Sequence, residues 1–408
     1  MKPLRVDLGT VPVGWLTPVP SYPDRWRFSF RQDYRERYPR PILGQFFEDD
    51  LERSYVSTQR LPEFFSNLLP EGTLRELIAE KAGVDPAREA HLLALLGEDL
   101  PGALFVREAD EGVPESTEEI ENAPADSPDE GNGGQPLKFS LAGVQLKFSV
   151  VRREGGFTLP ATGRGGHWIV KLPDLRFAGV PENEWSMLTW ARLAGITVPD
   201  HELVAVAAIE NLPRESAGSR SRKALAVRRY DRTEGGGRIH QEDFAQVLGV
   251  SAGQRYKYKK ASYENIGRIL YALGGLPQLL EYVDRLVFVI LSGNGDAHLK
   301  NWSLWYPDPQ GRNAALAPAY DQVSTLSYVE EQEDLALKLG KERDFYRISV
   351  SSFHRLARKC EVPETTVSER VQEAVERIRT AYHEVDSDLA LSEEAGKTLR
   401  RHLDRIKL

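Results

Sequence analysis

The sequence predicts an α+β protein of two lobes, a β-rich N-terminal half followed by a mostly helical C-terminal half. Three observations lead there. Residues 1–60 alternate short apolar stretches with turns (LRVDL, VGWL, WRFSF), the pattern of a small β unit. A second set of strand-like segments follows between 137 and 232, and from about residue 240 the apolar residues recur with helical period. The expected divisions are an N-terminal β/α subdomain at 1–106, an acidic linker or loop at 107–136, a strand-rich part at 137–232 and a helical lobe at 233–408.

In chain order, LPEFFSNLLP, EGTLRELIAEKAG and DPAREAHLLALLG carry helical patterns that each stop near Pro or Gly. The stretch 107–136 holds ten acids against one arginine and only Val113 and Ile120 as larger aliphatics, too little apolar surface to offset ordering. Beyond it, LKFSLAGVQLKFSVVRREGGFTLP reads as strands broken by a tight turn, HWIVKLPD as a strand and ENEWSMLTWARLAGI as an amphipathic helix. HELVAVAAIENL and KALAVRRYDR complete the strands, with GRGG at 163–166 expected to be a hairpin turn. QEDFAQVLG, YENIGRILYALGG, PQLLEYVDRLVFVILSG and most of 351–408 read as helices. NWSLWYPDPQGRNAALAPAYDQ interrupts them as a hairpin with PDPQG at its tip.

Composition excludes several classes. With 41% apolar and 28% charged residues in 408, the chain has ordinary globular usage. The net charge is −8, and removing the −9 of residues 107–136 leaves about +1, so no polyanion-binding balance appears. Cys360 is the single cysteine, which excludes an internal disulfide or a thiolate metal cluster. The start MKPLRVDLGTVPVGW lacks a signal-peptide pattern, and the run LVAVAAI is far shorter than a membrane span, so a cytoplasmic protein without membrane contact is expected.

The chemistry concentrates in LSGNGDAHLKNWSLWYPD, where Asn294, Asp296, His298, Lys300 and Asn301 follow directly on the apolar LVFVIL. Asp296 and Asn301 are five apart in a loop, so a turn can bring both toward one point. An Asp can accept a proton from an attacking hydroxyl, and an Asn carbonyl can bind a hard cation. The hairpin then returns Asp321, a second carboxylate of the kind a magnesium-bound triphosphate needs. Zinc fits poorly, with one His and neither a Cys nor a second His nearby. The bland alternative has Asp296 and Asn301 capping the next element and His298 in the core. Lys171, in an otherwise apolar strand, either faces solvent or points into a cleft to neutralise phosphates, with Glu184 placed to pair with it. The turn SLAGVQLK offers Ser140, Ala142, Gly143, Val144, Gln145 and Lys147 as phosphate contacts through backbone N–H, amide and lysine groups, although no Walker motif GxxxxGK[ST] occurs.

Together these segments resemble the HipA-type serine/threonine kinases, toxins of bacterial toxin–antitoxin pairs, over nearly the whole chain. The resemblance lies in LPEFFSNLLPEG, HLLALLGEDLPGAL, SLAGVQLKFSV, HWIVKLPD, VRRYDR, GNGDAHLKNWSL and AYDQVS. It implies a bilobal protein-kinase-like fold using ATP and Mg²⁺. Asp296 would then be the catalytic base, Asn301 and Asp321 the metal ligands, and Lys171 a contact to ATP phosphates. His298 and Lys300 would shape the loop, with Lys300 toward the transferred phosphoryl group. The backbone from Arg228 to Tyr230 would meet the adenine, and Ser140 would be the self-phosphorylated switch residue. Phosphate there adds roughly two negative charges beside a phosphate-binding turn. Two departures stand out: Arg228 replaces a glutamate frequent in the family, and the acidic stretch is longer than the family's.

The resemblance further implies a HipB-like helix-turn-helix antitoxin, DNA contact only through that partner, and a protein substrate among translation components, an aminoacyl-tRNA synthetase in class. Rival readings are a small-molecule or lipid kinase with the same loop, a non-catalytic antitoxin-binding corepressor, and, more distantly, a metal-dependent hydrolase. No role is assigned to Asn294.

Overall fold

The computed structural model describes residues 1–20, 22–57, 60–109, 146–153, 156–160, 165–174, 176–212, 222–251, 261–308, 310–328 and 334–408. The N-terminal unit is an antiparallel sheet in the order Tyr55–Val56, Tyr22–Phe30, Val11–Val19, Leu4–Leu8, Leu104–Glu108. Its last strand returns after the helices Glu63–Ser66, Gly72–Ala82 and Glu89–Leu96. The middle helix stops at Gly83, whose φ of +64° suits glycine far better than any side chain. Phe28, Phe47, Phe64 and Phe65 pack edge-on and tilted across this core, with the Phe28 and Phe65 centroids 4.8 Å apart.

The second sheet runs Ile209–Glu210, Gly156–Thr158, Lys147–Arg153, Trp168–Lys171, Lys223–Arg228, His201–Ala205. This order corrects the reading of GRGG. The strands on either side of it lie on opposite edges of Lys147–Arg153, so the connection crosses over that strand instead of forming a hairpin. Gly166 is pressed against the crossed strand, where a Cβ would fall 2.3 Å from Ser149 Oγ. HELVAVAAIENL is likewise not one strand, because the 3₁₀ turn Val206–Ala208 breaks it before Ile209–Glu210. Strand alternation puts Lys147, Lys171 and Leu225 on one face, and helix Val180–Leu193 covers Leu225 there with Leu188.

The C-terminal lobe is built around the helical segment Tyr263–Leu291, bent at Gly275 (φ +67°, ψ −160°) just ahead of Pro277. Its second half ends in Leu286 to Leu291, all fully buried. The predicted helix QEDFAQVLG begins instead as the strand His240–Asp243, drawn out by pairing with Ser303–Tyr306. Asp243 then caps the short helix Phe244–Val247 in a reciprocal box with Gln246. The hairpin after the polar loop forms, pairing Leu304 with Leu316. A second hairpin, Asp334–Leu339 with Glu342–Asp344, gave no signal in the sequence. Helices Glu364–Val385 and Glu393–Arg405 complete the lobe, and the His402 ring reaches Ile290 O at 2.9 Å. Among the described residues no helix is long and apolar enough to cross a membrane.

The segment VRRYDR ties the N-terminal unit to the second sheet. Arg229 and Arg232 share Asp231 and Asp99 at 2.8–3.0 Å, and Asp231 also accepts the Gly102 N–H at 2.8 Å. These charges are buried but mutually paired, which is the condition for burying them at tolerable cost.

Candidate functional site

The polar loop leaves the buried end of Tyr263–Leu291, so its start is fixed by core packing. Gly293, with φ +65°, turns the chain against Leu326. The Ala297 carbonyl accepts from Tyr263 Oη at 3.0 Å and Trp302 Nε1 at 3.2 Å, holding the loop from both sides. Asn294, which had no assigned role, supplies one. Its Oδ1 accepts the Asp296 N–H at 3.1 Å, and its Nδ2 donates to Asp321 O at 3.4 Å. Thr325 adds a second tie, accepting from Gly295 N–H at 2.9 Å and donating to Gly293 O at 3.1 Å. The loop of Asp296 and the loop of Asp321 are thus bolted together. Asp321 itself sits at φ +51°, a conformation side chains rarely adopt and one that clusters at functional sites.

Lys171, whose side chain is 9% exposed, turns into the cleft. It donates to Glu184 Oε1 at 2.5 Å and to Asp321 Oδ1, so three segments converge on one ammonium. Burial works against that charge, but the Asp321 and Glu184 carboxylates outweigh it and raise the lysine above its usual range. Burial also opposes ionisation of Asp321, yet Lys171 and Lys147 hold it well below the usual carboxylate range. Lys147 stands directly opposite Lys171 in register, so the two candidate phosphate lysines are neighbours.

His298 lies with Nε2 4.0 Å from Asp296 Oδ1. Asn301 is 6% exposed, and its Oδ1 is buried with no hydrogen-bond partner among the described residues. A buried carbonyl oxygen left open in this way fits a hard cation. Among the described residues no three His, Cys, Asp or Glu side chains form a metal cluster.

Two expectations change. Lys300 does not face the site of transfer, because its ammonium is taken by Glu71 Oε1 and the Asn67 carbonyl, each at 3.0 Å. The Arg228 and Arg229 N–H groups donate to Asp200 O at 2.8 Å and His167 O at 2.9 Å, so the adenine contact expected of that backbone loses these two donors. The Arg228 side chain faces outward to Glu234 and Asp200, while the Tyr230 ring stacks on Tyr320 with centroids 5.9 Å apart. Ser140, Ala142, Gly143, Val144 and Gln145 lie outside the described residues, as do residues 110–136 of the acidic segment.

Sequence reasoning missed Asn183, Thr325 and Glu71. Asn183 grips Ser324 from the helix that carries Glu184, and only its position beside Glu184 could have flagged it.

Residues 4–107 match the family described as HipA N-terminal domain, and residues 139–382 match HipA-like C-terminal domain. The chain belongs to the HipA family. It is 41% identical to the "Putative kinase Y4dM" of Sinorhizobium fredii, over 99% of this chain and 97% of that one. It is 25% identical to the "Serine/threonine-protein kinase toxin HipA" of Shewanella oneidensis, over 71% of this chain and 68% of the other. Among solved structures it superposes on the Shewanella oneidensis HipA, HipB and operator DNA complex with a TM-score of 0.71 at 22% identity, covering 98% of this chain and 95% of that one. The fold is therefore α+β, bilobal and kinase-like.

Proposed function

We propose that the protein is an ATP- and Mg²⁺-dependent serine/threonine protein kinase and the toxin of a toxin–antitoxin pair. The observation that carries this is the convergence of Lys171, Glu184 and Asp321 on one ammonium, with the Asp321 loop tied through Asn294 to the Asp296 loop. Mg²⁺, if bound, would supply charge neutralisation for phosphoryl transfer. The Asn301 Oδ1 and the Asp321 carboxylate are the groups to hold it. Lys171 then draws phosphate oxygens to the cleft, helped by Lys147 beside it. Asp296 is the acceptor for the substrate hydroxyl proton. Asn294 fixes its backbone.

The partner proposed is a HipB-like helix-turn-helix antitoxin, with DNA met only through it; the Shewanella oneidensis HipA of like fold is seen in complex with HipB and its operator DNA. The substrate proposed is a translation component of the aminoacyl-tRNA synthetase class, with self-phosphorylation at Ser140 as the off switch.

The test is incubation of the whole protein with labelled ATP, Mg²⁺ and bacterial lysate, beside Asp296→Ala and Asp321→Ala. Label on a lysate protein or on Ser140, lost in both variants, supports the kinase. No nucleotide-dependent label anywhere overturns it. Toxicity and antitoxin binding that survive both substitutions make the protein a corepressor.

A further inference from the structure

The stretch LPEFFSNLLPEG belongs to the N-terminal unit, yet its far end lies against the polar loop of the other lobe. Glu71 Oε1 is 3.0 Å from Lys300 Nζ, with both side chains about five-sixths buried. Lys300 Nζ also donates to Asn67 O at 3.0 Å. The turn that presents these groups is itself held on the C-terminal lobe. Asn67 Nδ2 donates to Val250 O at 2.8 Å, and Gln246 Nε2 donates to Phe64 O at 3.0 Å. Asp243, which caps the helix of Gln246, adds a further negative charge near Lys300.

Lys300 stands four residues after Asp296 and immediately before Asn301. Its backbone is held on the other side, where the Lys300 carbonyl accepts from Tyr320 Oη at 2.9 Å, one residue before Asp321. A lysine pinned at side chain and backbone fixes the short 3₁₀ turn Leu299–Asn301 that delivers the Asn301 carboxamide. In a partly buried pair the attraction is weakly screened, and a misplacement of about 1 Å in such a loop can cost on the order of a hundredfold in rate.

We infer that Glu71 is a positioning residue: through Lys300 it sets the loop of Asp296 and Asn301, so the N-terminal unit is part of the catalytic apparatus. This rests on the kinase reading for its kinetic consequence but not for its structural one.

The experiment compares wild type with Glu71→Gln, Glu71→Asp and the charge exchange Glu71→Lys with Lys300→Glu, all in the full chain. The first readout is hydrogen exchange of the amides 296–301, which needs no activity. The second is the rate of label transfer from Mg·ATP to the protein itself, alongside Mg·ATP affinity. Glu71→Gln is expected to speed exchange in 296–301 about tenfold and to slow transfer by about tenfold or more, with ATP affinity within about twofold. Glu71→Asp and the charge exchange should each recover part of both. Unchanged exchange in Glu71→Gln overturns the inference, as does loss in Glu71→Gln that neither rescue variant repairs. If wild type transfers no label yet Glu71→Gln loosens 296–301, the kinase reading fails and the positioning role stands.

Discussion

Asn183 holds Ser324 at both of its backbone polar groups, with Nδ2 donating to Ser324 O at 3.0 Å and Oδ1 accepting Ser324 N–H at 2.9 Å. The asparagine is 1% exposed and neighbours Glu184, which holds Lys171. One turn of helix Val180–Leu193 therefore fixes the cleft lysine and, three residues beyond Asp321, the segment that carries its carboxylate partner. Position within the site is inherited from a helix that touches no reacting atom.

Asn183→Ala removes both bonds and leaves two buried backbone groups open, each costing about 1–3 kcal/mol. Urea denaturation should show a lower midpoint with an unchanged slope. Asn183→Asp keeps the acceptor for Ser324 N–H but sets a carboxylate oxygen against a carbonyl, so it should be no better than alanine. A variant as stable as wild type would refute the clamp.

Lys171→Met tests the convergence itself. Without the ammonium, Glu184 and Asp321 stand as two carboxyl groups facing one gap, Glu184 deeply buried. Breaking a buried pair by removing one partner is strongly destabilising, although the partly exposed Asp321 softens the cost. Mg·ATP affinity should fall at least about tenfold, and the thermal midpoint should rise again as pH is lowered, because protonating a carboxyl relieves the repulsion. Equal ATP affinity in the two proteins would remove Lys171 from the site.

Much of this was legible in the residues. The spacing of Asp296 and Asn301, the return of Asp321 on a hairpin, and the pairing of Lys171 with Glu184 are local or nearly local patterns, which periodicity and chemistry expose. What escaped has a common cause. Glu71 meets Lys300 across 229 positions and Asn183 meets Ser324 across 141, and nothing in either neighbourhood announces its partner. QEDFAQVLG has a helical pattern, but its first residues join the strand His240–Asp243 through pairing with Ser303–Tyr306, a tertiary override of local pattern. In GRGG, composition marks a turn but not which strands it joins.

The junction between the N-terminal unit and strand His240–Asp243 predicts a stability optimum in mildly acidic solution. Glu242 is 1% exposed, and burial pushes its carboxyl up to about 8 although Tyr306 Oη at 2.5 Å and Gln45 N–H at 2.9 Å donate to it. The folded state then holds a proton that the unfolded chain releases near 4.5, so stability falls as pH rises from about 4.5 to 8. Asp243, raised by burial to about 6, adds to the fall over its own narrower window. His240, 2.8 Å from Leu43 O, runs the other way. Burial lowers it to about 4, and stability falls as pH drops from 6.5 toward 4. Glu242→Gln keeps donors and acceptors in place and should flatten the alkaline limb of the thermal midpoint against pH while sparing the acid limb. An unchanged alkaline limb would mean that Glu242 is ionised in the folded protein.

Removing the open oxygen at Asn301 separates a metal ligand from a structural amide. Asn301 Oδ1 is buried with no hydrogen-bond partner among the described residues, so Asn301→Ala breaks no bond among them at that atom. If the oxygen holds Mg²⁺, the Mg²⁺ concentration for half-maximal label transfer should rise by about tenfold or more, with the thermal midpoint in metal-free buffer nearly unchanged. Asn301→Asp puts a charged oxygen at the same place and should lower that concentration, while burying a carboxylate and so destabilising the metal-free protein. Titrating Mg²⁺ at fixed ATP against all three proteins checks both directions. Identical Mg²⁺ dependence in wild type and Asn301→Ala would leave Asp321 as the protein's metal ligand and return Asn301 to the loop's architecture.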